Sequence, residues 1–156
     1  MVQTPDNPDP LAWHRYFAME CNNRAWQLSV EPRDTLKDRE MLNAAHGSAW
    51  HWELVGTDLN RMRATTLLAE VHALLGHGAT ALGYAREMRD YFLTKADVPD
   101  WEVALTHAVY AHAAHAAGEL APHREAYQNA TTAIAAISDE EDRAIVLKTF
   151  KQVTVP

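Results

Sequence analysis

Nine histidines stand in this chain of 156 residues, and two of them, His112 and His115, are three positions apart. On a helix that spacing puts both imidazoles on one face. Two imidazoles and a carboxylate form a donor set that suits zinc or iron. The same residues also read as an ordinary polar surface that contacts a partner. A second group, His46, Trp50 and Glu53, follows a single helical face, with His51 and Trp52 pointing elsewhere. Amphipathic rings of this kind pack their bodies and satisfy one polar tip, so structural packing is expected there over an aromatic-lined ligand site.

The remaining reactive groups argue against catalysis. Cys21 is the single cysteine, which excludes an internal disulfide and a thiolate zinc cage. No neighbour in sequence would lower its pKa, so an inert buried thiol is expected. Ser48 lies in Gly47-Ser48-Ala49, without the strand-to-helix elbow of a hydrolase nucleophile, and a close helix crossing is the expected role of that stretch. The chain contains no glycine-rich phosphate loop, Walker motif or dinucleotide fingerprint. The acidic run Asp139–Asp142 is read as a helix start favoured by the macrodipole. No cofactor is expected.

The elements that must position these side chains are all helical. Alanine is abundant, β-branched residues are few, and turn residues recur at regular intervals. The pattern predicts an N-terminal extension over residues 1–9 and one domain over residues 10–156. Within Asp6-Asn7-Pro8-Asp9-Pro10, a turn feeds a first helix, with Asp9 as N-cap and Pro10 in its first position. That helix runs from about Leu11 to Ser29, and Glu31-Pro32-Arg33 breaks it. A second covers Asp34 to Val55 and stops at Gly56. Thr57-Asp58 opens a third, whose Ala64, Leu67, Leu68, Val71, Leu74 and Leu75 recur at helical spacing. After Gly76-His77-Gly78 come a fourth helix (Ala79–Thr94), a fifth (Trp101–Ala117) and a sixth (Leu120–Ile137). Ser138 followed by Glu141 predicts a capping box that opens a short seventh helix.

Hydrophobic residues make up 47% of the chain, enough for a core without staples. The formal charge is −7 with no basic stripe, which makes nucleic acid a poor partner. No apolar run is long enough to span a bilayer, and residues 1–6 lack the features of a secretory leader. A cytoplasmic protein of a bacterium-like cell is expected.

An internal repeat is also legible. Leu68-Ala69-Glu70-Val71-His72-Ala73-Leu74-Leu75-Gly76 matches Tyr110-Ala111-His112-Ala113-Ala114-His115-Ala116-Ala117-Gly118 at an offset of 42 residues. Together with Ala81-Leu82, Tyr84-Ala85 and Tyr127 through Ala130, these stretches resemble the tetratricopeptide repeat. The chain departs from that pattern in three ways: His107 holds the signature Trp position, Leu93 or Ala135 the closing Pro position, and the period exceeds the usual ~34 residues. The stretch from His46 through Asp100-Trp101 to Gly118 also resembles a group of uncharacterised bacterial proteins. The resemblance implies antiparallel hairpins stacked as a short right-handed solenoid, with a degenerate first hairpin and a C-terminal capping helix. It further implies a concave groove lined by the first helix of each hairpin. Carried over residue by residue, that groove holds Arg63, Thr66, Glu70 and Leu74, then Leu105, Ala108, His112 and His115. There the metal-binding set becomes Glu70, His112 and His115. The leading expectation is a non-catalytic scaffold that binds a protein or peptide. Metal or small-ligand binding, with or without catalysis, is the alternative. A third is a homodimer that hides the apolar face of the terminal hairpin at the helix 1 end of the stack, with Trp13, Phe17 and Trp26.

Overall fold

The computed structural model describes residues 2–6 and 9–156; Asn7 and Pro8, part of the predicted N-terminal turn, lie outside the described residues. The described residues form seven helices and no strand, so the fold is all-α. In chain order they are α1 (Pro10–Ser29), α2 (Thr35–Val55), α3 (Asp58–Leu74), α4 (Gly78–Leu93), α5 (Asp100–Ala116), α6 (Leu120–Ala136) and α7 (Glu140–Phe150).

Local chemistry sets the ends. The Asp9 carboxylate accepts from the Leu11 amide ahead of Pro10, and Asp34 accepts from the Lys37 amide. Thr57 and Asn60 cap α3 reciprocally, each side chain accepting from the other's backbone amide. One capping expectation is corrected. Asp139, rather than Ser138, caps α7, accepting from the Glu141 and Asp142 amides. The Ser138 amide and hydroxyl instead donate to Asp100 Oδ2 at the start of α5, tying the two helix starts together.

The repeat appears in the turns. Gly76 and Gly118 both adopt positive φ, 74° and 76°, which costs glycine little and other residues more. Around Gly76, the His77 amide donates to the His72 carbonyl and the Gly76 amide to the Ala73 carbonyl. Around Gly118, the Glu119 and Gly118 amides reach the Ala114 and His115 carbonyls in the same way. Both are Schellman turns, which satisfy the last carbonyls of one helix while reversing the chain into the next.

Packing then follows two rules. Helices α1, α3 and α5 each pair with the even helix that follows, and the odd helices also touch in series, α1 on α3, α3 on α5 and α5 on α7. The core divides to match. Leu28, Met41, Leu67 and Val71 fill the seam of α1, α2 and α3. Met88, Phe92, Val109 and Tyr110 fill that of α3, α4 and α5. Ala108, Ile134, Ile137 and Val146 fill that of α5, α6 and α7. Alanines at the crossings allow close approach, with Ala69, Ala81, Ala111 and Ala114 all fully buried. At Gly78 the backbone of α4 meets that of Ala116 and Ala117 so closely that no side chain fits between them.

Candidate functional site

The odd helices bring one face each to a cleft of about 260 Å³. Asn22 and Trp26 come from α1, Arg63 and Thr66 from α3, Trp101, Glu102, Leu105 and Thr106 from α5, and Ile145 and Thr149 from α7, with Phe92 of α4 completing the lining. The walls are mostly apolar, and their polar centre is an ion pair. Arg63 donates from Nε to Glu102 Oε1 at 2.7 Å and from Nη2 to Oε2 at 2.9 Å. This paired geometry is the strong form of the interaction, because two parallel charge-assisted bonds fix the planes of both groups. Glu102 is nearly fully buried, and the Arg63 guanidinium also lies over the Trp101 ring, 5.4 Å from its centroid. The hydrogen bond and charge of Glu102 raise the Arg63 pKa against the opposing effect of burial.

Thr66 and Thr106 spend their hydroxyl protons on the carbonyls of Met62 and Glu102, one turn back in their own helices. Their oxygens keep acceptor capacity. A second cleft of about 320 Å³, lined in part by Leu59, Tyr91 and Val98, shares Arg63, Phe92 and Glu102 with the first. The ion pair therefore borders both.

Of the residues assigned to a groove from sequence, Arg63, Thr66 and Leu105 line the cleft. Glu70 and His112 are brought together, but beneath the surface. The His112 Nδ1–H donates to Glu70 Oε1 and Oε2 at 3.1 and 3.0 Å, with Glu70 fully buried. Burial pulls the His112 pKa down, yet the charge and hydrogen bond of Glu70 win and leave it raised. His115 does not join them. It is exposed, and its ring packs against His123, with centroids 4.9 Å apart. Leu74 packs beside the core of α1, α2 and α3, and Ala108 is buried against α6 and α7. Among the described residues, no group of three or more His, Cys, Asp or Glu side chains converges so as to hold a metal ion.

Sequence reasoning did not place Trp26, Trp101, Glu102 or Ile145 in the cleft. Glu102 sits in the first turn of α5, where an acidic residue ordinarily answers the helix dipole. Its true partner, Arg63, is 39 residues away, and no local signal announces it.

The other groups singled out from sequence lie outside the cleft. Ser48 is fully buried and donates to the Ala18 carbonyl at 2.9 Å, where α2 crosses α1. Cys21 is half-buried, and burial followed by the charge of Glu20 raises its pKa, so the thiol stays protonated. Trp50 is exposed, whereas His46 and His51 each face another imidazole. His46 Nε2 lies 3.2 Å from His72 Nε2, and His51 Nδ1 lies 2.8 Å from His14 Nδ1. Burial, and then the proximity of His46 and His77, pushes His72 down to about 4. Among the described residues no helix is long and apolar enough to cross a membrane. Comparison of the chain with protein-family models, with curated proteins and with solved structures finds no match.

Proposed function

We propose that the chain is a non-catalytic, TPR-like scaffold of the cytoplasm that binds a protein or peptide through the cleft between its odd helices. The observation that carries this reading is the cleft itself: a concave, largely apolar surface shared by five helices, with Trp26, Trp101, Leu105 and Ile145 around one fixed ion pair. Serial contact of the odd helices and matched turns at Gly76 and Gly118 support the repeat architecture on which such a groove depends. The cleft encloses about 260 Å³. It fits a large apolar side chain of a peptide, and burying such an anchor contributes roughly 1.5–3 kcal/mol. The neutral Arg63–Glu102 pair orients the backbone beside it, and Thr66 and Thr106 accept hydrogen bonds.

The test is selection of a random peptide library on the protein, followed by binding of the selected peptides to Leu105→Glu and Ile145→Glu. Ile145 is exposed, so its variant keeps the fold. Loss of binding by both variants supports the groove. Peptides that bind the variants as well as the parent remove it.

A second reading, self-association, rests on the exposed apolar residues of α2. Leu36, Trp50 and Leu54 are 72%, 62% and 48% exposed. Sedimentation of the parent beside Trp50→Asp decides it: a dimer that the variant dissolves supports the reading, and a strict monomer at high concentration sinks it.

A further inference from the structure

One imidazole in this molecule faces two others. His72, near the end of α3 and 7% exposed, has its Nε2 3.2 Å from His46 Nε2 of α2. Its Nδ1 is 3.0 Å from Nδ1 of His77, in the turn before α4. Tyr84 of α4 stacks on the His72 ring, with centroids 5.8 Å apart and planes 25° apart. Three elements thus fix both the position and the plane of this side chain.

A neutral imidazole has one N–H and one lone pair, so His72 donates at one nitrogen and accepts at the other. When its Nδ1–H donates to His77, its Nε2 lone pair points toward His46 Nε2. His46 can then carry its own proton on Nδ1, the nitrogen remote from His72. Two acceptor nitrogens then lie 3.2 Å apart, and a cation bound by both, off the line that joins them, turns repulsion into coordination. The spacing fits: nitrogen legs of about 2.0–2.1 Å at a tetrahedral angle place two ligands about 3.3 Å apart.

We propose that His46 and His72 chelate a divalent first-row transition ion, zinc or copper, through their Nε2 atoms, with His77 as the positioning residue that accepts the Nδ1–H of His72. A ligating imidazole characteristically donates its second N–H to a fixed acceptor, which sets the tautomer and orients the ring. His77 fills that role, and the Schellman turn at Gly76 holds it there. Neither ligand carries charge, and imidazole pairs favour zinc and copper over magnesium and calcium, which take oxygen donors. His46 is exposed, so water completes the coordination and the site stays open. The site is separate from the groove and from the Glu70–His112 pair, and it does not depend on the peptide-binding reading.

The test is calorimetric titration of the tag-free protein with zinc chloride and with copper(II) sulfate, repeated on His46→Ala, His77→Ala and His14→Ala. His46 and His77 are exposed, and circular dichroism checks that their variants keep the parent helix content. The parent binds one equivalent, copper more tightly than zinc. His46→Ala loses at least tenfold in affinity, and His77→Ala weakens binding about 10- to 100-fold, the usual effect of removing an orienting partner. His14→Ala, which breaks the other close imidazole pair, leaves binding unchanged. Absence of saturable binding by the parent overturns the proposal. So does full binding by His46→Ala, or loss of binding by His14→Ala alone.

Discussion

The Arg63–Glu102 pair responds asymmetrically to removal of its two members. The Glu102 side chain is only 5% exposed, whereas that of Arg63 is 42% exposed. Replacing Arg63 with Met keeps the hydrocarbon cover over Glu102 and removes the charge, leaving a desolvated carboxylate without a counterion. Breaking a fully buried pair in this way costs about 3–5 kcal/mol, and an exposed pair is worth about 0–1 kcal/mol. With one partner buried and the other half in water, Arg63→Met is expected to cost about 2–3 kcal/mol. Glu102→Gln keeps an acceptor for Arg63 and leaves the cation in contact with solvent, so its cost is about 1 kcal/mol. A domain of this size loses roughly 2–4 °C of Tm per kcal/mol, which places the Arg63→Met variant about 5–10 °C below the parent. The double variant, with no charge to strand, recovers part of that loss. Thermal and urea melts of the parent, both single variants and the double variant measure all of this. Equal losses for the two single variants would refute the assignment of Glu102 as the desolvated partner.

Three further outcomes follow from the packing. His112 has a raised folded pKa, so the stability it gains from Glu70 is complete below the unfolded value of about 6.5 and is lost as pH rises through the folded value. The gap in urea midpoint between the parent and Glu70→Gln therefore narrows from pH 6 to pH 9, and a gap that widens contradicts the ion pair. Gly78→Ala drives a methyl into the Ala116 carbonyl and lowers stability by at least about 2 kcal/mol in the same melts, a loss that a neutral result would disprove. A methyl at Gly83, on the exposed side of α4, meets nothing, so Gly83→Ala raises stability by about 0.5–1 kcal/mol through helix propensity alone.

Helix ends were legible because their causes are local. Asp9, Asp34, Thr57, Gly56, Gly76 and Gly118 each act on backbone groups within a few residues, and the observed borders fall within about two residues of those expected. The seventh helix shows how narrow that margin is. Ser138 and Asp139 are both competent caps in sequence. The choice between them went to Asp139 because Asp100, 38 residues earlier, claims Ser138.

The candidate sites divide in the same way. Arg63, Thr66 and Leu105, which the tetratricopeptide resemblance assigned to a groove, sit on odd helices and line the cleft, whereas Leu74 and Ala108, assigned in the same way, pack elsewhere. Glu70 and His112 could be placed near one another because they hold equivalent positions 42 residues apart in the two units. The grouping of His112 with His115 did not survive. Three residues advance a helix by about 300°, so the two side chains diverge by about 60° around the axis. Against α3 and α6, that is enough to seat one imidazole in a buried seam and leave the other at the surface beside His123.

Composition, capping residues and the 42-residue offset thus determined from sequence alone that the chain is all-helical, where its helices start and stop, and which turns repeat. Tertiary structure decided which side chains meet, Arg63 with Glu102 and His72 with His46 and His77, and brought Trp26 and Trp101 to one cleft. The physical reason is that capping acts through the chain's own neighbours. A contact between helices depends instead on the axial rotation and depth at which each helix settles, and the packing of all seven helices sets those together.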